Sequence, residues 1–187
     1  MAKTKEFTRT VELPVQRVYD VVSSTQYLTT TDGMLTETEA HIVSADREVA
    51  EDGEVRAQVT VSNHAPNPVE EPGAVGEAGG SGKAGAEADE GPELVTTQTT
   101  IVSVPESDGS FRMIANTPLP NAMGEMSTTF YFQPTSEEST QVQVQVMADV
   151  KIPIVGGTLA KKLLGSSEGT VDNGLARVVR LDEGWSE

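Results

Sequence analysis

The chain has 187 residues and a mass of 19.8 kDa, enough for one domain with a sizeable core, but it offers only one Trp, three Tyr and four Phe to fill that core. Its 13 basic against 29 acidic residues give a formal charge of -16, which opposes association with nucleic-acid phosphates and with anionic lipid headgroups. Cysteine is absent, so disulfides, thiolate catalysis and thiolate metal sites are excluded.

The opening MAKTKEFTRTVEL has no apolar run of secretory length, and no run of about 18 apolar residues occurs anywhere. The expectation is a cytoplasmic protein without integral membrane association. KEFTRTVEL alternates, with Phe7, Arg9, Val11 and Leu13 on one face and Glu6, Thr8, Thr10 and Glu12 on the other, as a half-buried strand does. Pro14 ends that strand, and Val15, Val18, Tyr19 and Val22 then recur at helical spacing, with the proline tolerated where the chain enters the helix. TQYLTTTDG reads as a short helical or irregular piece that stops near Gly33.

From there the spacing predicts a succession of antiparallel strands. TETEAHIVSADRE is the weakest of them, and the turn AEDG joins it to EVRAQVTVS, whose Val55, Ala57, Val59 and Val61 share a face. Residues 66–92, PNPVEEPGAVGEAGGSGKAGAEADEGP, break the pattern, with seven of the chain's 17 glycines and six acidic residues against the lone Lys83. Such a segment buries too little apolar surface to offset its ordering entropy, and it reads as a mobile acidic loop inserted into the domain. A basic protein partner is its functional reading.

ELVTTQTTIVSV is rich in Thr and Val, which suit strands. SFRMIANT follows the turn PESDG, and GEMSTTFYFQP then groups Met126, Thr128, Phe130 and Phe132 and stops at Pro134. TQVQVQVMADVKI is the clearest alternation, with Val142, Val144, Val146, Ala148, Val150 and Ile152 opposite Gln141, Gln143, Gln145, Met147, Asp149 and Lys151. The tail changes period: Leu159, Leu163, Val171, Leu175, Val178 and Val179 predict a long helix starting near Thr158, or near Ile154. Gly165, Gly169 and Gly174 leave open one continuous helix, a kink near GSSEG, or two shorter helices. The fold class is α+β: about seven strands in a curved antiparallel sheet, ordered β-α-α-β6-α, wrapped around a long C-terminal helix.

Candidate chemistry is sparse. His41 and His64 are the only histidines, HExxH and GxSxG are absent, and GSGK in the acidic segment lacks the GxxxxGK[ST] spacing of a phosphate loop. These motifs nominate no metal, cofactor or catalytic residue. Glu39, Asp46 and Asp149 are candidate general acids only as any carboxylate is; Asp149 is out of phase with the valines, so solvent is its expected neighbour and its pKa has little reason to move toward neutrality, and Arg112 reads as a solvated residue. Arg9 shares the apolar phase of its strand, where an unpaired charge is costly. Unless the strand phase is other than read, it either meets the headgroup of a ligand or lies near the sheet rim, snorkelling or paired with a protein carboxylate.

The run KIPIVGGTLAKKL continuing into EGTVDNGLARVVRLDEGW resembles the ending of an uncharacterised family, domain of unknown function 2505, within the START and Bet v 1-like helix-grip superfamily. FTRTVELPVQRVYDVVSSTQYL resembles the usual start of that superfamily, and GSFRMIANTPLPNAMGEMSTTFYFQPT fits its layout. The resemblance covers most of the chain except residues 66–92. It implies an apolar cavity between sheet and helix, since the superfamily mostly holds lipids, sterols or polyketides there and a minority are cyclases or related enzymes. It transfers no catalytic residue. The expected lining is Phe111, Met113, Phe130, Val144, Val146, Leu163 and Leu175, with Arg9 near one end. Three functions follow as expectations: binding or carriage of a hydrophobic small molecule or lipid, a structural or partner-binding module, and a cyclase- or hydrolase-like enzyme in the same cavity.

Overall fold

The computed structural model describes residues 2–34, 41–64 and 93–184. The predicted acidic loop 66–92 and the terminal Trp185 lie outside the described residues. The elements run β1 (Ala2–Val11), α1 (Val15–Val22), α2 (Thr25–Thr29), β2 (His41–Val49), β3 (Val55–His64), β4 (Glu93–Val102), β5 (Phe111–Pro118), β6 (Gly124–Ser136), β7 (Ser139–Val150) and α3 (Gly156–Asp182), with a single 3-10 turn at Pro120–Ala122. The seven strands form one antiparallel sheet in the order β1-β7-β6-β5-β4-β3-β2, curved around α3 in the helix-grip arrangement.

The alternation of β7 explains its central place. Thr140, Val142, Val144, Val146, Ala148 and Val150 are all buried, while Gln143 and Gln145 are exposed. Each buried valine contributes roughly 1.5–3 kcal/mol of transfer free energy. A one-residue slip against β1 or β6 would turn the whole row to water, so register is strongly fixed. The Thr140 hydroxyl, wholly buried, donates to the Leu13 carbonyl at 2.8 Å and so carries no desolvation cost. Aromatic packing closes this half of the core: Phe111 stacks on Phe132 at 4.4 Å, and Tyr19 of α1 meets Phe111 edge-on at 5.1 Å.

Two boundaries differ from the sequence expectation. β6 runs through Pro134 to Ser136, because the missing proline N–H falls at the register irregularity between Pro134 and Ser136. α3 begins at Gly156 rather than Thr158, with Val155 as an N-cap that supplies no side-chain hydrogen bond. The glycine pair therefore lies inside the first turn. A Cβ on Gly156 would stand 3.1 Å from the Val150 carbonyl oxygen, and its absence lets the helix start tight against the end of β7. The adjoining corner leaves Ile154 fully exposed with φ +72, a conformation that β-branched residues rarely adopt.

α3 is one helix through Gly165, Gly169 and Gly174. Its buried face steps through Ala160, Leu164, Ser167, Val171, Leu175, Val178 and Leu181, against β7, β1 and α1. Leu159 and Leu163 are only half-buried, flanking this stripe. Gly165 and Gly169 face outward, and a Cβ at either would meet nothing within 4 Å. Alanine at both positions should therefore add about 2 kcal/mol, near 1 kcal/mol per site, and raise the thermal midpoint by about 4–6 °C. A midpoint unchanged in calorimetry would show that these glycines carry a role beyond helix formation.

Candidate functional site

α3 covers the β7–β1 side of the concave face, and α2 lies against β2 and β3. α1 covers one end of β5 and β6 through Tyr19, and between these covers the rest of the sheet above β4 to β6 is open, where a cavity of about 490 Å³ lies. Its apolar wall is Leu28, Met113, Ala115, Phe130, Val171 and Leu175, with half-exposed Met34 at the rim. Phe130 marks the border, since its ring stacks 6.1 Å from Phe132 in the aromatic core on one side. Gly174 faces the cavity, 3.9 Å from the Tyr27 hydroxyl measured from a Cβ position, and so keeps the helix surface low there.

Tyr27, Arg177 and Arg180 are polar groups at the α2 end, and the wall also carries Thr100 and Gln98 from β4 and Thr170 and Asn173 from α3. Arg177 is 5% exposed and was not singled out from sequence. Its Nε donates to the Asp32 carbonyl at 2.6 Å, Nη1 to Tyr27 at 2.9 Å, and Nη2 to Gln26 at 3.2 Å and Thr30 at 2.8 Å. These carbonyls belong to the end of α2 and the turn after it, which lack intrahelical partners. One guanidinium thus fastens α2 and residues 30–33 to α3. Its plane also stands 4.9 Å from the Tyr27 ring centroid, a cation–π contact. Burial lowers the Arg177 pKa from its ordinary value and raises that of the Tyr27 phenol, the latter partly offset by Arg177.

Arg180, one turn on, donates from Nε to the Gly33 carbonyl at 2.5 Å. Gly33 accepts from a φ of +74, where a side chain would press on Leu181. The helical steps that place Arg177 here are i+3 from Gly174 and i−4 from Leu181, both on the inward face. That projection was the signal available in the sequence.

Of the eight residues expected to line the cavity, Met113, Phe130 and Leu175 are on its wall. Phe111, Val144 and Val146 are buried in the packed core, 1%, 2% and 0% exposed, and Leu163 lies on the flank of α3. Arg9 stands at the rim on the opposite half of the sheet. Its Nε donates to Asp172 at 2.7 Å and its Nη2 to Glu168 at 2.6 Å, and Lys5 reaches the same Glu168 at 2.8 Å. Of the two readings of Arg9, the structure thus gives the one that pairs it with protein carboxylates. His41 and Arg112 are exposed, and the side chain of His64 lies outside the described residues. No group of three or more His, Asp or Glu able to hold a metal ion occurs among the described residues. Among the described residues no helix is long and apolar enough to cross a membrane.

The rim cluster has a pH signature. Hydrogen bonds from Lys5 and then Arg9 hold the Glu168 carboxyl below its ordinary range. A carboxyl depressed in the folded state stabilises above its unfolded value, about 4.3, and that contribution is lost as pH falls through the folded value. Thermal melts should therefore show the native chain above Glu168→Gln at neutral pH, with the gap closing below about pH 4. A gap that persists undiminished in acid would mean that the glutamate acts through packing rather than charge.

A broader groove of about 700 Å³ crosses the outer face of the sheet, floored by Glu6, Thr8, Arg112, Thr129, Tyr131, Gln143 and Gln145. It is open and polar, the surface of a twisted sheet rather than an enclosure.

No family model matches the chain, and no curated protein matches it by sequence, so the likeness to domain of unknown function 2505 has no matching model beside it. Solved structures do match. A Thermus thermophilus protein aligns over 96% of this chain and 99% of its own at 18% identity and a TM-score of 0.54. The Zhui aromatase/cyclase of a Streptomyces species covers 98% and 94% at 15% identity and a TM-score of 0.52. Norcoclaurine synthase of Thalictrum flavum, solved with dopamine and hydroxybenzaldehyde, covers 100% and 90% at 14% identity and a TM-score of 0.52. At such identities the likeness establishes the fold alone, the helix-grip arrangement.

Proposed function

We propose that the domain binds and carries a small hydrophobic or lipid-like molecule in the cavity between α3 and strands β4 to β6. The observation that carries this reading is the cavity itself. About 490 Å³ falls inside the range of small-molecule sites, and an apolar wall with a few polar groups at one end is their usual composition. A domain selected only for stability would gain by filling that volume, because packed interiors leave few voids larger than water. The fold adds support, since structures of the same architecture include an aromatase/cyclase and a synthase solved with small aromatic molecules.

Binding without catalysis is favoured over an enzyme by the composition of the wall. Among the described residues it carries no His, Asp or Glu, and Arg177, its most buried ionisable group, is occupied by backbone carbonyls. General acid–base work needs a group that exchanges protons near neutral pH, and neither a guanidinium nor a phenol raised by burial does so.

The test is to strip the purified full chain of bound molecules, refold it, and titrate it with apolar fluorescent probes of graded size. Saturable binding of one probe per chain, displaced by molecules extracted from the protein as first purified, is the expected result. A chain that binds no probe of any size saturably overturns the reading.

A further inference from the structure

Two arginines stand at the α2 end of the cavity. Of the chain's seven arginines, Arg9 holds Glu168 and Asp172, Arg17 holds Asp182 and Arg56 holds Glu54, while Arg47 and Arg112 have no ion pair among the described residues but lie outside the cavity wall. Arg177 and Arg180 have no salt bridge among the described residues, although both line an apolar cavity where an unpaired charge is costly. Arg177 is satisfied by carbonyls. Arg180 is only anchored, since its Nε is held by the Gly33 carbonyl while neither terminal nitrogen has a partner among the described residues.

Among the described residues no carboxylate pairs with that charge. Asp32 favours the charged form of Arg177, and its Oδ2 accepts from Gln26 at 2.8 Å rather than from either arginine. Arg180 in turn opposes the charge on Arg177, so two cations repel each other at one end of the pocket. The Tyr27 and Thr100 hydroxyls are also on the wall without a hydrogen-bond partner among the described residues. A fork of guanidinium N–H donors fixed through its Nε matches the two oxygens of a carboxylate in a way that a neutral headgroup does not.

We propose that the cavity selects amphipathic acids: an apolar body lies along Met113, Phe130, Val171 and Leu175, and a single carboxylate is held by Arg180, with the Tyr27 hydroxyl as a further donor. This rests on the cavity reading above and adds the chemical class of its occupant. The carboxylate neutralises the repelling pair, and the anchor on Gly33 makes the geometry ready before binding, which lowers the ordering cost.

The experiment uses matched pairs that differ only at the headgroup: decanoate with decan-1-ol, and 2-naphthoate with 2-naphthalenemethanol. Affinity of each for the full chain is measured by calorimetry near neutral pH at low and moderate salt. The expected result is at least about a tenfold preference for the acid in one pair or both, as a charge-assisted bond gives, weakening with salt. In Arg180→Gln that preference should collapse while the affinity for the neutral partner is retained. Arg180→Lys, which keeps the charge and loses the fork, should fall between the two and serves where the glutamine variant does not fold.

Equal affinity for acid and alcohol, or an acid preference that survives in both Arg180 variants, overturns the proposal and leaves the cavity reading standing. If neither member of either pair binds and apolar probes also fail, both fall together.

Discussion

Arg177→Met should destabilise the domain by about 3–4 kcal/mol, a large share of the 5–15 kcal/mol that holds a typical domain together. The side chain is 5% exposed and makes four hydrogen bonds, all to backbone carbonyls between Gln26 and Asp32. Methionine replaces the bulk of the stem but none of the donors. The carbonyls of Tyr27, Thr30 and Asp32 would each lose a charged partner in a site only partly open to water, at roughly 1–3 kcal/mol for each one left unsatisfied. Some of that returns as water enters from the cavity, hence a total below the sum. Lysine should recover less than half, because one ammonium cannot reach carbonyls spread around a planar fork.

The measurement is a denaturant midpoint that falls with the slope unchanged, together with faster amide exchange confined to α2 and residues 30–34. A midpoint within error of the native chain would mean that the segment is held by Leu28 and Tyr27 packing alone. The same variant bears on the site. Without the fastening, the wall that carries Tyr27 and Gly33 loosens, and Arg180 loses the acceptor that orients it.

This residue also marks where sequence reasoning stopped. Strand alternation was legible because one face of β7 is wet and the other dry, and each valine there reports its own side. Arg9 was legible for the same reason: a charge in the apolar phase of a strand stands out, and its carboxylate partners at the rim were one of two stated readings. α3 was harder. Leu159 and Leu163 set the predicted inward face of its first turns, yet Ala160, Leu164 and Ser167 form the buried row. Small residues let the helix approach β7 and β1 closely, so the inward face is defined by fit rather than by hydrophobicity. The leucines cover the flank. The offset is confined to these first turns, since Val171, Leu175 and Val178 of the predicted helix are buried, and Arg177 was missed beside them because an arginine gives no apolar signal.

Three of the expected lining residues reached the cavity and three others sank into the core for a related reason. Phe111, Met113, Phe130, Val144 and Val146 all point inward along their strands, and alternation distinguishes inward from outward but not packed from hollow. Which part of the concave face is hollow depends on where the covers sit. α3 lies over β7 and β1, and α2 lies against β2 and β3, so the gap falls over β4 to β6. No local pattern in those strands encodes that offset. The acidic segment 66–92, read as a loop, lies outside the described residues.

Ala115→Trp should abolish probe binding, with a loss of more than about a hundredfold, and leave thermal stability equal to or above that of the native chain. Ala115 lies on β5 opposite Thr100 of β4 and Thr128 of β6, at the floor of the cavity. An indole fits a strand position and would occupy the volume that a ligand needs, burying its rings against Met113, Phe130 and Leu175. Its N–H has the Thr100 hydroxyl within the same wall as an acceptor.

The pairing of the two outcomes is what discriminates. In a packed core the same insertion forces side chains off their rotamers and costs about 1–3 kcal/mol, so binding and stability would fall together. In a hollow one, apolar area leaves water without strain, and binding alone is lost. Stability lost along with binding would therefore count against a standing cavity, and binding retained in a folded variant would place the ligand elsewhere, with the polar outer groove between β1 and β5 the next surface to test.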